Sequence, residues 1–237
     1  AVGMRLFISG SAPLLAETHD AWRRKTGHTI LERYGMTETT MITSNPYEGA
    51  RIPGSVGRAL DGVRVRVADR ESGRVLGDAE IGVVELAGPN VFKGYWNKLG
   101  QTADVFRPDG YFITGDLGYL DPDGYLHLVG RDKDLIISGG LNVYPTEVEA
   151  EINALDGVVE SAVIGLPHPD LGEAVTAVVV RAPGVRLDSA QIMSGIRDGI
   201  ARFKQPKEIF FVDELPRNAL GKVQKNLLRD AYRGTFA

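Results

Sequence analysis

The run Gly130-Arg131-Asp132-Lys133-Asp134 divides the sequence into two textures. Upstream of it, Val63-Arg64-Val65-Arg66-Val67 alternates strictly between apolar and charged residues, as a half-buried strand does, and Gly82-Val83-Val84-Glu85-Leu86 follows as a second strand. Asp121-Pro122-Asp123-Gly124 lies between the apolar runs at 117–120 and 125–129 and reads as a hairpin turn. Nearer the start, residues 4–8 read as a short buried strand, 14–25 as a helix and 29–34 as another strand. Downstream, Thr146-Glu147-Val148-Glu149 fits a capping box and opens a helix with Val148, Ile152 and Leu155 on one face. Strands are expected over 161–166 and 175–181. A second helix starts at Asp188 or Ser189, with Ile192, Ile196, Ile200 and Phe203 on one stripe. A last strand over 209–212 precedes a glycine turn and a basic helix over 224–232. The expected architecture is a β-rich α/β portion over residues 1–131 and a small α+β domain over 132–237.

Composition narrows the function classes. The chain has 237 residues, a net charge of −4, 43% hydrophobic and 24% charged residues, and no cysteine. Mild acidity argues against nucleic acid as a standing partner, which normally leaves a clustered basic surface. Without cysteine there is no disulfide framework, thiolate nucleophile or thiolate zinc site. No apolar run approaches the roughly 18 residues that cross a bilayer, and no secretion signal is visible, so a cytoplasmic protein without a membrane partner is expected. His19, His28, His127 and His168 show no metal-ligand spacing. There is no G-x-S-x-G elbow, and Gly221-Lys222 lacks the rest of a Walker loop.

Five segments carry chemistry. Tyr34-Gly35-Met36-Thr37-Glu38-Thr39 packs an aromatic ring, a glycine, a hydroxyl and a carboxylate into six residues. It suits either a nucleotide-binding loop or a capped strand-to-helix turn. Asp116, closing Tyr111-Phe112-Ile113-Thr114-Gly115-Asp116 just after a strand, is either a ribose ligand or an Asx-turn. The charge run 130–134 is either a solvated surface or a functional linker. Ser138-Gly139-Gly140 is either a close backbone approach to a ligand or a tight turn. Lys222 stands at the tip of Pro216-Arg217-Asn218-Ala219-Leu220-Gly221-Lys222, as a catalytic or merely solvated lysine.

In order and content these segments resemble the acyl-adenylate-forming superfamily of acyl-CoA synthetases, peptide-synthetase adenylation domains and luciferases. Residues 34–39 resemble its YGxTE motif, 111–116 its GYxxTGD motif, and 130–134 its hinge. SGGLNVYPTEVE at 138–149 and PRNALGK at 216–222 complete the series. The superfamily's Gly/Ser/Thr-rich phosphate loop is absent. The resemblance therefore implies the C-terminal half of such an enzyme: the end of the large domain, with a mixed sheet and a β-rich subdomain, and a small mobile C-terminal domain. It also implies that this half is inactive without the upstream part of the same enzyme.

The resemblance further implies ATP, Mg²⁺ and coenzyme A, and assigns roles. Gly10, Ser11, Ala12 and Pro13 would wall the adenine and acyl pocket. Tyr34 would pack on adenine, with Gly35 and Met36 also at the ATP/AMP site, Thr37 would contact the α-phosphate, and Glu38 would hold Mg²⁺. Asp116 would bind the ribose hydroxyls, with Arg131 beside it. Lys133 would be the hinge. Ser138, Gly139 and Gly140 would line the pantetheine tunnel, and Phe203 and Lys207 would meet the CoA nucleotide, although Gln205 stands where relatives often carry arginine. Lys222 would be the adenylation lysine and, by analogy with relatives, a target of a lysine acetyltransferase and deacetylase.

Within the superfamily, Ile30-Leu31-Glu32-Arg33-Tyr34-Gly35-Met36-Thr37-Glu38-Thr39 is most similar to malonyl-CoA synthetases. Arg33 suits a second carboxylate, with Ser11 donating a further hydrogen bond, which makes malonate the expected acid and methylmalonate a further candidate. Otherwise Arg33 pairs with Glu32 or another acid, and the enzyme is a medium- or long-chain acyl-CoA ligase. A third reading is an adenylation-type binding module without CoA chemistry.

Overall fold

The computed structural model describes residues 1–10, 14–219 and 221–236. They form two compact units, Ala1–Asp132 and Lys133–Ala237.

In the first unit, β1 (Ile8–Ser9) and α1 (Ala16–Thr26) precede β2 (Leu31–Met36), β3 (Thr40–Ser44) and β4 (Arg58–Ala59). The four strands make one sheet in the order β1-β2-β3-β4, with β1 parallel to β2 and the other pairs antiparallel. A second, antiparallel sheet follows chain order: β5 (Arg64–Ala68), β6 (Gly82–Ala87), β7 (Phe112–Leu120) and β8 (Leu126–Arg131), with α2 (Leu99–Asp104) between β6 and β7. Tyr34 and Ile42 of the first sheet share a buried core with Val84, Leu86, Phe112 and Leu126 of the second. All six residues of β6 are buried, Glu85 included. That carboxylate is tolerable because Arg66 Nη2 and Arg107 Nε pair with it at 2.8 and 2.7 Å; alone in such a site its charge would cost several kcal/mol.

The strand expected at residues 4–8 is a correction. Only Ile8 and Ser9 pair, and Met4 and Ile8 are 55% and 54% exposed. Among the described residues β1 has a ladder partner on one edge alone.

The second unit begins in a 3-10 turn, Asp132–Asp134, shared across the boundary. It continues through β9 (Ile136–Ser138), β10 (Leu141–Val143), α3 (Pro145–Asn153), β11 (Val158–His168) and β12 (Gly172–Arg181). Then come α4 (Ser189–Ile196), a 3-10 turn at Arg202–Lys204, β13 (Glu208–Val212) and α5 (Lys225–Tyr232). β12 is central, antiparallel to β11 and parallel to β13. Alternation sorts its residues between two cores. Val175, Ala177 and Val179 face α3 and α4 with Val148, Ile152, Ile192 and Ile196, while Val178 and Val180 face Leu215 and Leu228 of the α5 side. A strand buried on both faces reads as a near-continuous apolar run, as 174–180 does with Thr176 as its one polar residue.

The α3 start also differs from expectation. Tyr144, not Thr146, is the N-cap, and Pro145 fills the first helical position, where its fixed φ suits the helix and its missing N–H costs nothing. Glu149 instead accepts from Val163 N–H at 2.7 Å and pairs with Lys225 Nζ at 2.6 Å. The expected α4 stripe holds, but the helix ends at Ile196; Ile200 and Phe203 reach the same core from the segment beyond it.

The capping box occurs at α4. Asp188 Oδ1 accepts from Gln191 N–H at 2.8 Å, and Gln191 Oε1 accepts from Asp188 N–H at 2.9 Å. Asp188→Ala should lower the stability of the second unit by about 1 kcal/mol, read as a shift in its urea midpoint with an unchanged slope.

Candidate active site

The segment 34–39 is not a strand-to-helix turn but the end of one strand and the turn into the next. Tyr34, Gly35 and Met36 are the last residues of β2, and Thr37, Glu38 and Thr39 make the tight turn into β3, closed by Thr39 N–H donating to Met36 O at 3.1 Å. Opposite Tyr34 and Gly35 the partner strand skips from Thr43 to Met41, a bulge that kinks the hairpin. Gly35 is obligatory there: a Cβ would stand 1.9 Å from Thr40 O. Thr37 is exposed and Glu38 half-buried.

Asp116 is a second correction. It lies inside β7, not after it. The pairing of β6 with β7 jumps from Val83↔Leu117 to Glu85↔Ile113, so 114–116 bulge out of the ladder. Thr114 Oγ1 donates to Val84 O at 2.8 Å and accepts from Asp116 N–H at 3.0 Å, satisfying the backbone the bulge frees. The Asp116 carboxylate, 5% exposed, meets two groups: the Tyr34 hydroxyl donates to Oδ2, and Arg131 Nε, from the strand position directly opposite, lies 3.1 Å from Oδ1. Burial, and next the Asp116 charge, push the Tyr34 phenol well above its usual range, so it stays a donor. The Tyr34 ring is 8% exposed and packed in the core.

Arg33 and Glu32 are not partners. Successive strand residues point to opposite faces. Glu32 is 5% exposed and accepts from Gly54 N–H at 3.3 Å. Arg33 is half-buried; its Nη1 touches only the Met41 thioether, a weak acceptor, and it has no ion pair among the described residues. Gly10 packs over its stem, where a Cβ would lie 3.4 Å from Arg33 Cγ. Ser11, Ala12 and Pro13 lie outside the described residues.

Glu38 is a single carboxylate beside an exposed hydroxyl, and no cluster of three acidic or histidine side chains exists among the described residues. That donor set fits Mg²⁺, which usually takes one or two carboxylates and completes its shell from water and substrate phosphates.

The run 130–134 is not a solvated charge cluster. Arg70 Nε lies 3.0 Å from Asp132 Oδ1, and Arg229 Nη2 donates to Asp134 Oδ1 at 2.6 Å. Lys133 between them is exposed. In the second unit, Ser138 is buried, and Gly139 and Gly140, both at positive φ (59° and 79°), form the two-residue turn between β9 and β10 that this hairpin geometry requires. Phe203 packs on the core, and Lys207 is exposed with its N–H bonded to Val175 O. Gln205 turns inward, donating to the carbonyls of Arg197 and Ile200. Lys222 is exposed on a loop pinned by its neighbours. Lys222 N–H donates to Asn218 Oδ1 at 3.0 Å, and Arg217 reaches Gly221 O at 2.7 Å and the Glu160 carboxylate. Leu220 of that loop lies outside the described residues.

Residues 1–96 match the AMP-binding enzyme family model, and residues 147–222 match that of the AMP-binding enzyme C-terminal domain. The chain belongs to the AMP-binding enzyme family. An ATP-bound crystal structure of MatB from Rhodopseudomonas palustris is 61% identical, with a TM-score of 0.97 over 99% of this chain and 46% of that one. The malonate–CoA ligase of Arabidopsis thaliana is 37% identical over 95% of this chain and 38% of its own length. A long-chain-fatty-acid–CoA ligase of Bacillus subtilis is also 37% identical, over 93% and 40%. The chain thus spans less than half the length of these relatives. Identity by itself does not choose among acids.

The sequence carried no sign of the Glu32 environment. Burial pushes its carboxyl up to about 7 against the opposing Gly54 N–H. The folded state therefore holds a proton that the unfolded chain releases near its ordinary value. The stabilisation is present below about pH 4.5 and lost as pH rises through about 7. Glu32→Gln should flatten the stability profile of the first unit across that window, measured as urea midpoints at stepped pH.

Proposed function

We propose that these two units, together with a phosphate-binding first half of the kind their longer relatives have room for, ligate malonate to coenzyme A at the expense of ATP. The observation that carries the choice of acid is Arg33. A half-buried guanidinium without an acidic partner among the described residues, beside the adenylate motif, suits a second carboxylate bidentately and would be costly against a fatty-acyl chain. Ser11 would add a hydrogen bond to the same carboxylate.

In the first half-reaction a malonate oxygen attacks the α-phosphorus and pyrophosphate leaves. Tyr34 with Gly35 and Met36 would border the adenylate, Thr37 would bond the α-phosphate, and Asp116 with Arg131 would take the ribose hydroxyls. Mg²⁺ held by Glu38 and the phosphates would supply charge neutralisation. Lys222 would stand between the attacking oxygen and the α-phosphate, where its charge acts on the transition state. In the second half-reaction the CoA sulfur attacks the acyl carbon, its proton is lost, and AMP leaves. Ser138, Gly139 and Gly140 would line the pantetheine path, with Phe203 and Lys207 at the CoA nucleotide.

The two half-reactions need different groups at one adenylate, which a rotation about Lys133 would supply. The ties of Asp132 to Arg70 in the first unit and of Asp134 to Arg229 in the second support this reading, since they leave Lys133 exposed and without an ion pair among the described residues, between two anchored neighbours. A mobile second domain, a cytoplasmic setting, and control by an acetyltransferase and deacetylase acting on Lys222 belong to the same proposal; acetylation would remove the lysine charge.

With the full-length protein, malonate should be the preferred acid, methylmalonate accepted less well and octanoate rejected. Arg33→Ala should raise the malonate KM by about 10²-fold or more, because an unpaired carboxylate is then buried. Equal turnover of malonate and octanoate would favour a medium- or long-chain ligase instead.

Lys222→Ala should lower pyrophosphate exchange by about 10²–10³-fold yet leave preformed malonyl-AMP able to react with CoA. Lys133→Pro should do the reverse, sparing exchange and abolishing thioester formation, because proline fixes φ near −65°. Equal losses in both half-reactions for either variant would reject its assigned role.

A further inference from the structure

The turn that carries Thr37 and Glu38 is held from outside its own sheet. The segment 88–95, between β6 and α2, reaches it at four points. Phe92 N–H donates to Glu38 O at 2.8 Å, and Asn90 Nδ2 donates to the carbonyls of Thr39 and Met41 at 2.9 and 3.0 Å. These three bonds fix the main chain of the turn. The fourth fixes a side chain: the Tyr95 hydroxyl donates to Glu38 Oε1 at 3.0 Å.

Tyr95 is itself firmly placed. Its N–H donates to Thr102 Oγ1 at 2.9 Å, and its ring meets Phe92 edge-on with centroids 4.9 Å apart. Phe92 in turn packs on Phe106 and Phe112 of the core. The Glu38 carboxylate has no other hydrogen bond or ion pair among the described residues, so one oxygen is oriented and the other is left to a cation. A carboxylate that ligates a metal depends on such outer support to fix its orientation.

We propose that Tyr95 is a positioning residue for Glu38, fixing the carboxylate so that its second oxygen faces the nucleotide-bound Mg²⁺. The proposal rests on the reading of Glu38 as the Mg²⁺ ligand. It makes the segment 88–95, which none of the sequence motifs includes, part of the adenylation machinery.

The test uses the full-length protein with Mn²⁺ standing in for Mg²⁺. Free Mn²⁺ is followed by electron paramagnetic resonance in the presence of a non-hydrolysable ATP analogue, and metal-free analogue binding is measured in EDTA by calorimetry. Tyr95→Phe removes one oxygen atom and should weaken Mn²⁺ binding about tenfold. Metal-free nucleotide affinity and the melting temperature should stay at wild-type values. The Mg²⁺ concentration for half-maximal pyrophosphate exchange should rise by the same factor. Wild-type Mn²⁺ affinity in Tyr95→Phe, with weakened binding in Glu38→Gln, would overturn the positioning role while leaving Glu38 as ligand. Wild-type affinity in both variants would overturn the reading of Glu38 itself. Equal losses of metal-free and metal-dependent nucleotide binding in Tyr95→Phe would assign Tyr95 to the fold alone.

Discussion

The Asp116 carboxylate, held by the Tyr34 hydroxyl and the Arg131 guanidinium, is the contact on which the candidate site depends. Tyr34 belongs to one sheet of the first unit, Asp116 and Arg131 to the other, so the interaction joins the two sheets at the point where their core ends. Its members serve one another. Arg131 offsets the charge of a carboxylate that is almost fully buried, and Asp116 satisfies a phenol that has little water to bond. The bulge at 114–116 makes the arrangement possible by turning Asp116 out of the regular ladder. Removing Asp116 would take from the buried Tyr34 hydroxyl the carboxylate to which it donates.

That constraint extends outward by short covalent distances. Arg33 precedes Tyr34 in β2, so anchoring the tyrosine also anchors the neighbouring guanidinium on the opposite face of the strand. Four residues past Tyr34, Glu38 sits on a turn braced by Asn90, Phe92 and Tyr95. Arg131 is the last residue of β8, next to the Arg70–Asp132 pair and the exposed Lys133. Rigid scaffolding thus runs up to the boundary between the units, and the ion pairs on either side of Lys133 belong to different units.

The second unit follows a different logic. Its central strand is apolar over 174–180 apart from Thr176, with helices on both faces, and the residues proposed to meet CoA and the adenylate lie largely in the connections: the Gly139-Gly140 turn, the segment around Phe203 and Lys207, and the loop of Lys222. Of these residues Lys207 and Lys222 are exposed, whereas Phe203 packs on the core. The Lys222 loop is nonetheless held in shape by Asn218 and Arg217, so the lysine is presented on a defined backbone.

The sequence by itself determined what depends on local pattern. The period-2 alternation at 63–67 and the apolar stripe that begins in α4 were legible, because each reports short-range geometry. Tertiary structure decided what depends on residues far apart in the chain. Asp116 read as the end of a strand because Thr-Gly-Asp looks like a turn, and only the pairing of β6 with β7 makes it a bulge. Thr146 read as a cap because its spacing fits one, whereas Lys225 and Val163, distant in sequence, claim Glu149. Tyr34 meets Asp116 across 82 positions and Tyr95 meets Glu38 across 57. No periodicity encodes such contacts, because they form only once two sheets have packed and their loops have been brought within hydrogen-bonding reach.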